Sequence, residues 1–155
     1  MSVRVLLTKR GYQKVSAALE ECEKLRLVII EKIDEARKHG DLSENAEYKA
    51  AREEQRINDK KISDLSQVKA SADILTKELV GDQSTVKIGA KVVMEADDGT
   101  KKTFIVVSHH EADVANGFIS IETPIAKSLL AKELNDDVVI GGKTYYIGEI
   151  SYNHL

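Results

Sequence analysis

The chain has 155 residues, 42% hydrophobic and 32% charged, which is enough for one ordinary domain or two small ones. A formal net charge of −3 and an aromatic content of only 5% argue against a free-standing nucleic-acid binder, which normally has a basic excess and stacking surfaces. The single cysteine, Cys22, excludes an internal disulfide and a cysteine zinc site. We find no export signal and no apolar run of membrane length, so we expect a cytoplasmic protein.

The frequency of glycine and proline changes near residue 80. Before that point the only breakers are Gly11 and Gly40, whereas seven glycines and Pro124 follow it. Long stretches without breakers favour helices, and closely spaced glycines are typical of strands and turns. We therefore predict a helical domain over residues 1–79 and a globular domain over residues 80–155.

The helical half has apolar residues at spacings of three and four, as in a coiled coil. The seam of the first helix, for which Thr8 is the expected N-cap, comprises Tyr12, Val15, Leu19, Cys22, Ile29, Ile33 and Ala36. The second helix is predicted over residues 44–79, with polar Gln55 and Asn58 on its seam near the turn. Two arms of about 30 residues, each roughly 45 Å long, are expected to fold back as an antiparallel hairpin.

The second half alternates between apolar and polar residues. Strands are predicted at residues 90–95, 103–107, 117–121, 138–140 and 143–150, with a hairpin turn at Asp97-Asp98-Gly99. One short helix is predicted just after Pro124, over residues 125–132. The pattern indicates an α+β fold whose globular half is a small antiparallel sheet with one helix.

The turn of the hairpin contains two acidic residues, Asp41 and Glu44, three positions apart. One interpretation is a capping box, in which Asp41 caps the second helix and Glu44 reaches back to it. The other is a pair of carboxylates that binds a divalent cation. Such a pair alone would hold Mg²⁺ weakly, since that ion prefers several waters and a phosphate besides one or two carboxylates. The residues themselves leave both interpretations open.

The segment ARKHGDLSENAEY, residues 36–48, closely resembles the tip of the bacterial Gre transcript cleavage factors, in particular the GreA type. The likeness continues through residues 50–55 and, in the second half, through residues 119–120, 123–126 and 136–140. It covers essentially the whole chain and implies an N-terminal antiparallel coiled coil followed by an FKBP-like domain. One departure is Arg26-Leu27, where family members often have Arg-Pro, so we expect a less kinked first helix.

The resemblance implies a transcription elongation factor that binds RNA polymerase through its secondary channel and contacts the nascent RNA 3′ end there. The factor would have no enzymatic activity and no cofactor of its own, and Asp41 and Glu44 would help the polymerase hold a second Mg²⁺ for cleavage of backtracked RNA. We expect a monomer without membrane contacts. The other residues that the resemblance implies are Arg37, Arg52 and Tyr48 at the RNA and Ser120, Pro124 and Ile125 at the polymerase surface.

Each of these roles has a simpler alternative. Arg37 and Arg52 could form surface ion pairs with acids of the coiled coil, and Tyr48 could pack across the hairpin. His39 is interpreted as a solvated turn residue and Cys22 as part of the seam. Adjacent His109 and His110 would point to opposite faces of a strand, which disfavours a metal site.

Three other functional classes fit parts of the pattern. A channel-binding inhibitor would have the same shape, although such proteins usually alter the acidic tip. A coiled-coil chaperone or prolyl isomerase would need an aromatic-lined pocket. The candidate aromatic residues are Phe104, Phe118, Tyr145, Tyr146 and Tyr152. A free-standing metal nuclease would need a third ligand or a basic phosphate clamp besides the two carboxylates.

Overall fold

A computed structural model describes residues 4–40 and 45–155 and divides the chain into two compact units, Gln13–Ser71 and Met1–Tyr12 with Ala72–Leu155. Within the described residues, no helix is both long and apolar enough to cross a membrane. The helices are α1 (Lys9–Arg37), α2 (Ala46–Ser71), α3 (Lys77–Val80) and α4 (Pro124–Leu129). The strands are β1 (Val5–Leu7), β2 (Ala72–Ile74), β3 (Lys91–Glu95), β4 (Lys101–Val107), β5 (Phe118–Ser120), β6 (Asp137–Ile140) and β7 (Lys143–Ser151).

The helical unit is an antiparallel hairpin of α1 and α2, as predicted. Helix α1 has 29 residues and α2 has 26, which corresponds to lengths of roughly 44 and 39 Å. Near the tip, Ile29 and Ile33 of α1 pack with Ala51 of α2 in a small buried cluster. Lys32 and Glu54 join the two arms by an ion pair of 3.2 Å. With so little apolar surface buried near the tip, the hairpin relies there on polar contacts between the arms.

A buried polar residue, Asn58, lies on the seam of the hairpin at 3% exposure. Its amide nitrogen donates to the Cys22 carbonyl at 2.9 Å, whereas its amide oxygen has no donor among the described residues. Cys22 itself is half-buried. A buried polar side chain on a coiled-coil seam typically specifies register at a cost in stability.

Replacement of Asn58 by leucine is therefore expected to stabilise the hairpin by about 1 kcal/mol, because an incompletely satisfied amide gives way to an apolar side chain. Thermal unfolding monitored by circular dichroism measures the change. Replacement of the neighbouring exposed Ile57 by leucine is the control and should leave the midpoint nearly unchanged. A lower midpoint for Asn58→Leu would mean that the bond to Cys22 outweighs the cost of burying the amide.

The second helix is shorter than predicted, because it ends at Ser71 and the chain then enters β2. Strand β2 pairs in parallel with β1, in a register that places Val5 opposite Ala72. Arg4 reinforces this pairing by an ion pair of 2.6 Å with Asp73. The segments that precede and follow the helical hairpin in the sequence thus pair with each other. The boundaries between the two structural units lie at residues 12 and 72, whereas the sequence predicted a single boundary near residue 80.

The remaining strands form a five-stranded sheet in the order β5-β4-β3-β7-β6. Its core includes Val92, Met94, Val106, Ile147 and Tyr152, all fully buried. The α+β class is confirmed, but the sheet is mixed, since β5 runs parallel to β4. The connection between these strands contains two short 3-10 turns and returns the chain in its original direction, which a tight hairpin cannot do.

Two short helices complete the globular unit. Helix α4 begins at Pro124, one residue before the predicted start, and the Thr123 hydroxyl caps it by accepting from the Ala126 N–H at 3.3 Å. It ends at Leu129, three residues earlier than predicted. Helix α3, a single turn capped by Thr76, was not predicted as a separate element, because its residues up to 79 were assigned to the end of the second helix.

Candidate functional site at the hairpin tip

The described residues on the α1 side of the tip form a tight turn. Helix α1 ends at Arg37, and the N–H groups of Lys38 and His39 donate to the carbonyls of Glu35 and Ala36 at 3.0 and 3.2 Å. Gly40 follows with φ +118°, a backbone conformation that side chains rarely tolerate. The helical conformation of the chain therefore ends within three residues after Arg37.

On the other side, Asn45 caps α2. Its side-chain oxygen accepts from the Tyr48 N–H at 3.1 Å, and its amide nitrogen donates to the Ala36 carbonyl at 2.6 Å. One side chain thus pairs with a backbone N–H in the first turn of α2 and with a backbone carbonyl in the last turn of α1. This bridge fixes the two chain ends between which residues 41–44 are held.

The capping-box interpretation of the acidic pair is corrected by this geometry, because α2 begins at Ala46 and its cap is Asn45. The sequence analysis did not predict Asn45 as the cap of α2, although asparagine is among the best N-cap residues. Asp41 and Glu44 themselves lie outside the described residues, so their function as metal ligands stays a prediction.

Arg37 and Arg52 lie on the same side of the hairpin. Both line one groove between α1 and α2, and the other lining residues are Ile30, Glu31, Ile33, Asp34 and Gln55. The Arg52 guanidinium donates to the Gln55 side-chain oxygen at 3.2 Å, a neutral partner. In the described part of the chain, neither arginine forms an ion pair, although Glu31 and Asp34 line the same groove. Both interpretations of the arginines, contact with RNA and ion pairing within the coiled coil, stay predictions.

The groove on the opposite side of the hairpin is more acidic. It is lined by Glu35, Glu47 and Glu54, with His39 at the tip. Lys32 lies in the same groove and pairs with Glu54. The first groove contains two arginines and two acids, whereas this one contains three acids and one lysine. The two are called the arginine side and the acidic side below, and the arginine side repels a polyanion less.

Tyr48 is half-buried and packs against the cluster of Ile29, Ile33 and Ala51. This is the packing across the hairpin that we considered as the alternative to an RNA contact. The residue stabilises the last stretch of the hairpin before the tip. Contact of its exposed part with RNA stays a prediction.

The predicted polymerase-contacting residues form a rigid turn between β5 and α4. Ser120 is buried, with 7% exposure, and its hydroxyl accepts from the Glu122 N–H at 3.2 Å. Its carbonyl accepts from the Thr123 hydroxyl at 2.7 Å. Pro124 is exposed, whereas Ile125 is half-buried against the core. Of the three residues, Pro124 has the most accessible side chain.

His109 and His110 lie in a 3-10 turn and not in a strand, so they do not point to opposite faces. Their rings stack, with centroids 3.8 Å apart, and His109 lies 3.8 Å from a Glu122 carboxylate oxygen. Within the described residues, no group of three or more potential ligands is arranged to bind a metal.

Sequence reasoning missed a buried carboxylate in the next residue, Glu111, which is 4% exposed. It accepts from the Thr8 backbone N–H at 3.1 Å and from the Thr8 hydroxyl. The same hydroxyl accepts from the Gly11 N–H at 3.1 Å, which confirms Thr8 as the cap of α1. No local signal indicates this pairing, because 103 residues separate the partners.

The chain matches two family models, described as "Transcription elongation factor, N-terminal" over residues 5–74 and "Transcription elongation factor, GreA/GreB, C-term" over residues 81–152. A transcription elongation factor GreA from Rickettsia canadensis is 40% identical over 162 residues, which cover 100% of this chain and 99% of the relative. One from Rhizobium leguminosarum bv. viciae is 42% identical over 160 residues, with 98% and 99% covered.

Among solved structures, GreA factor homolog 1 of Thermus thermophilus is similar with a TM-score of 0.46 and 24% identity, covering 96% of this chain and 99% of that one. The family matches extend over both structural units, and the GreA relatives are similar along their whole length. The chain therefore belongs to the GreA/GreB family of transcription elongation factors.

Proposed function

We propose that this elongation factor binds RNA polymerase, inserts its helical hairpin into the secondary channel and stimulates the polymerase's own cleavage of backtracked RNA. The observation that carries the proposal is the Asn45 bridge between α1 and α2, which joins two long helices at the point of the sequence where residues 41–44 connect them. Helices of roughly 40 Å suit a site deep within a partner.

The acidic pair would supply ligands that a polymerase active site lacks. Asp41 and Glu44 offer carboxylate oxygens, which hard divalent cations prefer. When bound there, a second Mg²⁺ would stabilise the attacking and leaving oxygens of phosphodiester hydrolysis. The chain itself would hold the carboxylates in place and orient the RNA.

Carboxylates repel RNA phosphates, so the tip also needs positive charge. Arg37 and Arg52 provide it in one groove, which they share with Glu31 and Asp34. The other groove has Glu35, Glu47 and Glu54 against Lys32 alone. The guanidinium groups would bind phosphates of the extruded RNA 3′ end and direct it along the arginine side.

The direct test uses elongation complexes that are stalled in a backtracked register and carry RNA labelled at the 5′ end. Addition of the factor should accelerate Mg²⁺-dependent shortening of the RNA, whereas naked RNA should stay intact with the factor alone. Binding without accelerated cleavage would favour the channel-binding inhibitor. Degradation of naked RNA by the pure factor would instead favour the nuclease.

Replacement of both Arg37 and Arg52 by alanine is expected to slow stimulated cleavage by about 10-fold at low salt, because the RNA end loses two charge-assisted contacts. The difference should shrink as salt screens the charges. Lys32→Ala removes a positive charge from the opposite side and serves as the matched control. Equal losses for the arginine variant and the Lys32 variant would contradict a role of the arginine side.

Three of the five candidate aromatic residues give no support to a prolyl isomerase, whereas Phe104 and Tyr146 are half-buried. Phe118, Tyr145 and Tyr152 are buried in the core or nearly so, with 9%, 3% and 0% exposure. The Tyr152 hydroxyl donates to the Thr85 carbonyl at 2.7 Å, so it is already used in the fold. Side chains that are buried in this way fill the domain and do not line a substrate pocket.

A further inference from the structure

The buried carboxylate of Glu111 is not used by the proposed chemistry of the tip, although burying a carboxylate costs free energy. Its hydrogen bonds go to the backbone N–H and the hydroxyl of Thr8. Thr8 caps α1 with its own hydroxyl oxygen, which accepts from the Gly11 N–H, so the cap itself does not require Glu111. The carboxylate therefore does more than cap a helix, because it ties the start of α1 to the 3-10 turn that follows β4.

A second contact joins the first turn of α1 to the sheet. The Arg10 guanidinium lies 3.9 Å from the centre of the Phe118 ring, and Phe118 is the first residue of β5. The face of an aromatic ring attracts a cation in this position. The start of α1 is thus held at two points, by Glu111 and by Phe118.

The backbone of α1 also lies very close to Glu111. A Cβ atom at Gly11 would collide with the Glu111 carboxylate, so the approach requires a glycine at this position. Thr8, Arg10, Gly11, Glu111 and Phe118 all belong to the unit formed by Met1–Tyr12 and Ala72–Leu155. Within that unit, the first turn of α1 cannot tilt without breaking these contacts.

Helix α1 extends the orientation of this turn toward the tip. It runs without interruption from Lys9 to Arg37, over roughly 44 Å. A tilt of about 5° at its first turn would displace the other end of a helix of this length by about 4 Å. Because a misplacement of about 1 Å can already slow a reaction by about 100-fold, cleavage should be sensitive to such a tilt.

We propose that Glu111 and Arg10 are positioning residues for RNA cleavage at the tip. They hold the first turn of α1 in one orientation, and the uninterrupted helix passes this orientation on to Arg37 and the residues that follow it. The inference rests on the proposed function, which it deepens by giving contacts at the start of α1 a role in the reaction.

The test measures two quantities for the full-length factor on backtracked elongation complexes: the maximal rate of stimulated cleavage, and the factor concentration that gives half of it. Glu111→Ala should lower the maximal rate by about 10-fold, because α1 is no longer held in one orientation. The half-maximal concentration should change by less than about 2-fold, since the predicted polymerase-contacting residues are unchanged. Glu111→Gln keeps an oxygen that can accept from the Thr8 N–H and should restore most of the rate.

A matched control, Tyr152→Phe, separates positioning from stability. The Tyr152 hydroxyl donates to the Thr85 carbonyl at 2.7 Å and accepts from the Lys87 N–H at 2.9 Å. Its loss weakens the same unit without removing a contact of the first turn of α1. Well below the melting temperature, this variant should therefore reach the wild-type maximal rate.

The second contact decides the matter should Glu111→Ala fail to fold. Arg10 is exposed, so Arg10→Ala removes little besides the contact with Phe118. This variant should lower the maximal rate by about 3-fold, whereas Arg10→Lys keeps a cation over the ring and should retain the wild-type rate.

The possible failures are distinguishable. If the wild-type factor does not stimulate cleavage, the proposed function fails and this inference fails with it. If the wild type is active and the folded variants of Glu111 and Arg10 reach its maximal rate, neither residue positions the tip, while the proposed function stands. An equal loss of maximal rate for Tyr152→Phe, or a loss confined to the half-maximal concentration, would likewise overturn the positioning role.

Discussion

Replacement of both Asp41 and Glu44 by alanine is expected to abolish stimulated RNA cleavage while polymerase binding is nearly preserved. Loss of an outer-shell partner of a metal ligand already costs roughly 10- to 100-fold in affinity or activity, and here the ligands themselves are removed. Because the cap of α2 is Asn45, the hairpin should fold without either carboxylate. Cleavage in stalled complexes and affinity for polymerase are measured on the same preparation.

The controls for this prediction follow from the charges at the tip. Glu47→Ala removes a carboxylate from the first turn of α2, on the acidic side, and should leave cleavage near the wild-type rate. The isosteric pair Asp41→Asn and Glu44→Gln keeps shape and polarity but loses both charges, so it should be as inactive as the alanine variant. Undiminished cleavage by the alanine variant would defeat the assignment of these residues as metal ligands.

The architecture of the hairpin could be predicted from the sequence because its determinants are local. The seam from Val15 to Ala36, the cap Thr8 and the breaker Gly40 each act within a few residues of their own position. The same holds for Pro124 at the start of α4. A structural feature that is encoded by the spacing of residues along the chain can be predicted from the sequence alone.

Two of the missed features, strand β2 and the parallel pairing of β5, depend on partners distant in sequence. Strand β2 was assigned to a helix, since the residues that precede it continue a helical pattern and its pairing partner β1 lies 67 positions earlier. Strand β5 pairs with β4 in parallel because of the path that the 3-10 turns between the two strands follow. Tertiary pairing of this kind overrides local propensity, which is a weak guide for strands of three residues.

The candidate site shows the same difference between features that are encoded locally and features that form only on folding. The acidic pair, Arg37 and Arg52 were identified from the sequence motif, and the structure adds that the two arginines line one groove. A groove of the globular unit lined by Leu6, Ile88, Ser108 and Ile121 could not be predicted, because its lining comes from four separate stretches of the chain. The residues of the tip lie close together in sequence, whereas this groove is assembled by folding.

The buried carboxylate of Glu111 leads to a second large effect. Removal of this side chain by Glu111→Ala leaves the Thr8 N–H and hydroxyl without their acceptor in a buried place. Each unsatisfied buried group costs roughly 1–3 kcal/mol, so we expect a loss of about 3 kcal/mol in the free energy of unfolding. Thermal and denaturant unfolding measure this loss, and Glu149→Ala, at an exposed position on β7, is the control.

Gly11 should respond in a way opposite to ordinary helix glycines. Glycine to alanine within a helix normally stabilises by about 1 kcal/mol, but a Cβ at Gly11 would collide with the Glu111 carboxylate. That carboxylate cannot move aside without breaking its bonds to Thr8, so Gly11→Ala alone should destabilise. In the Glu111→Ala background the collision is gone, and the same substitution should become stabilising. A change of sign between the two backgrounds isolates the contact, whereas equal effects in both would show that Glu111 does not determine the requirement for glycine.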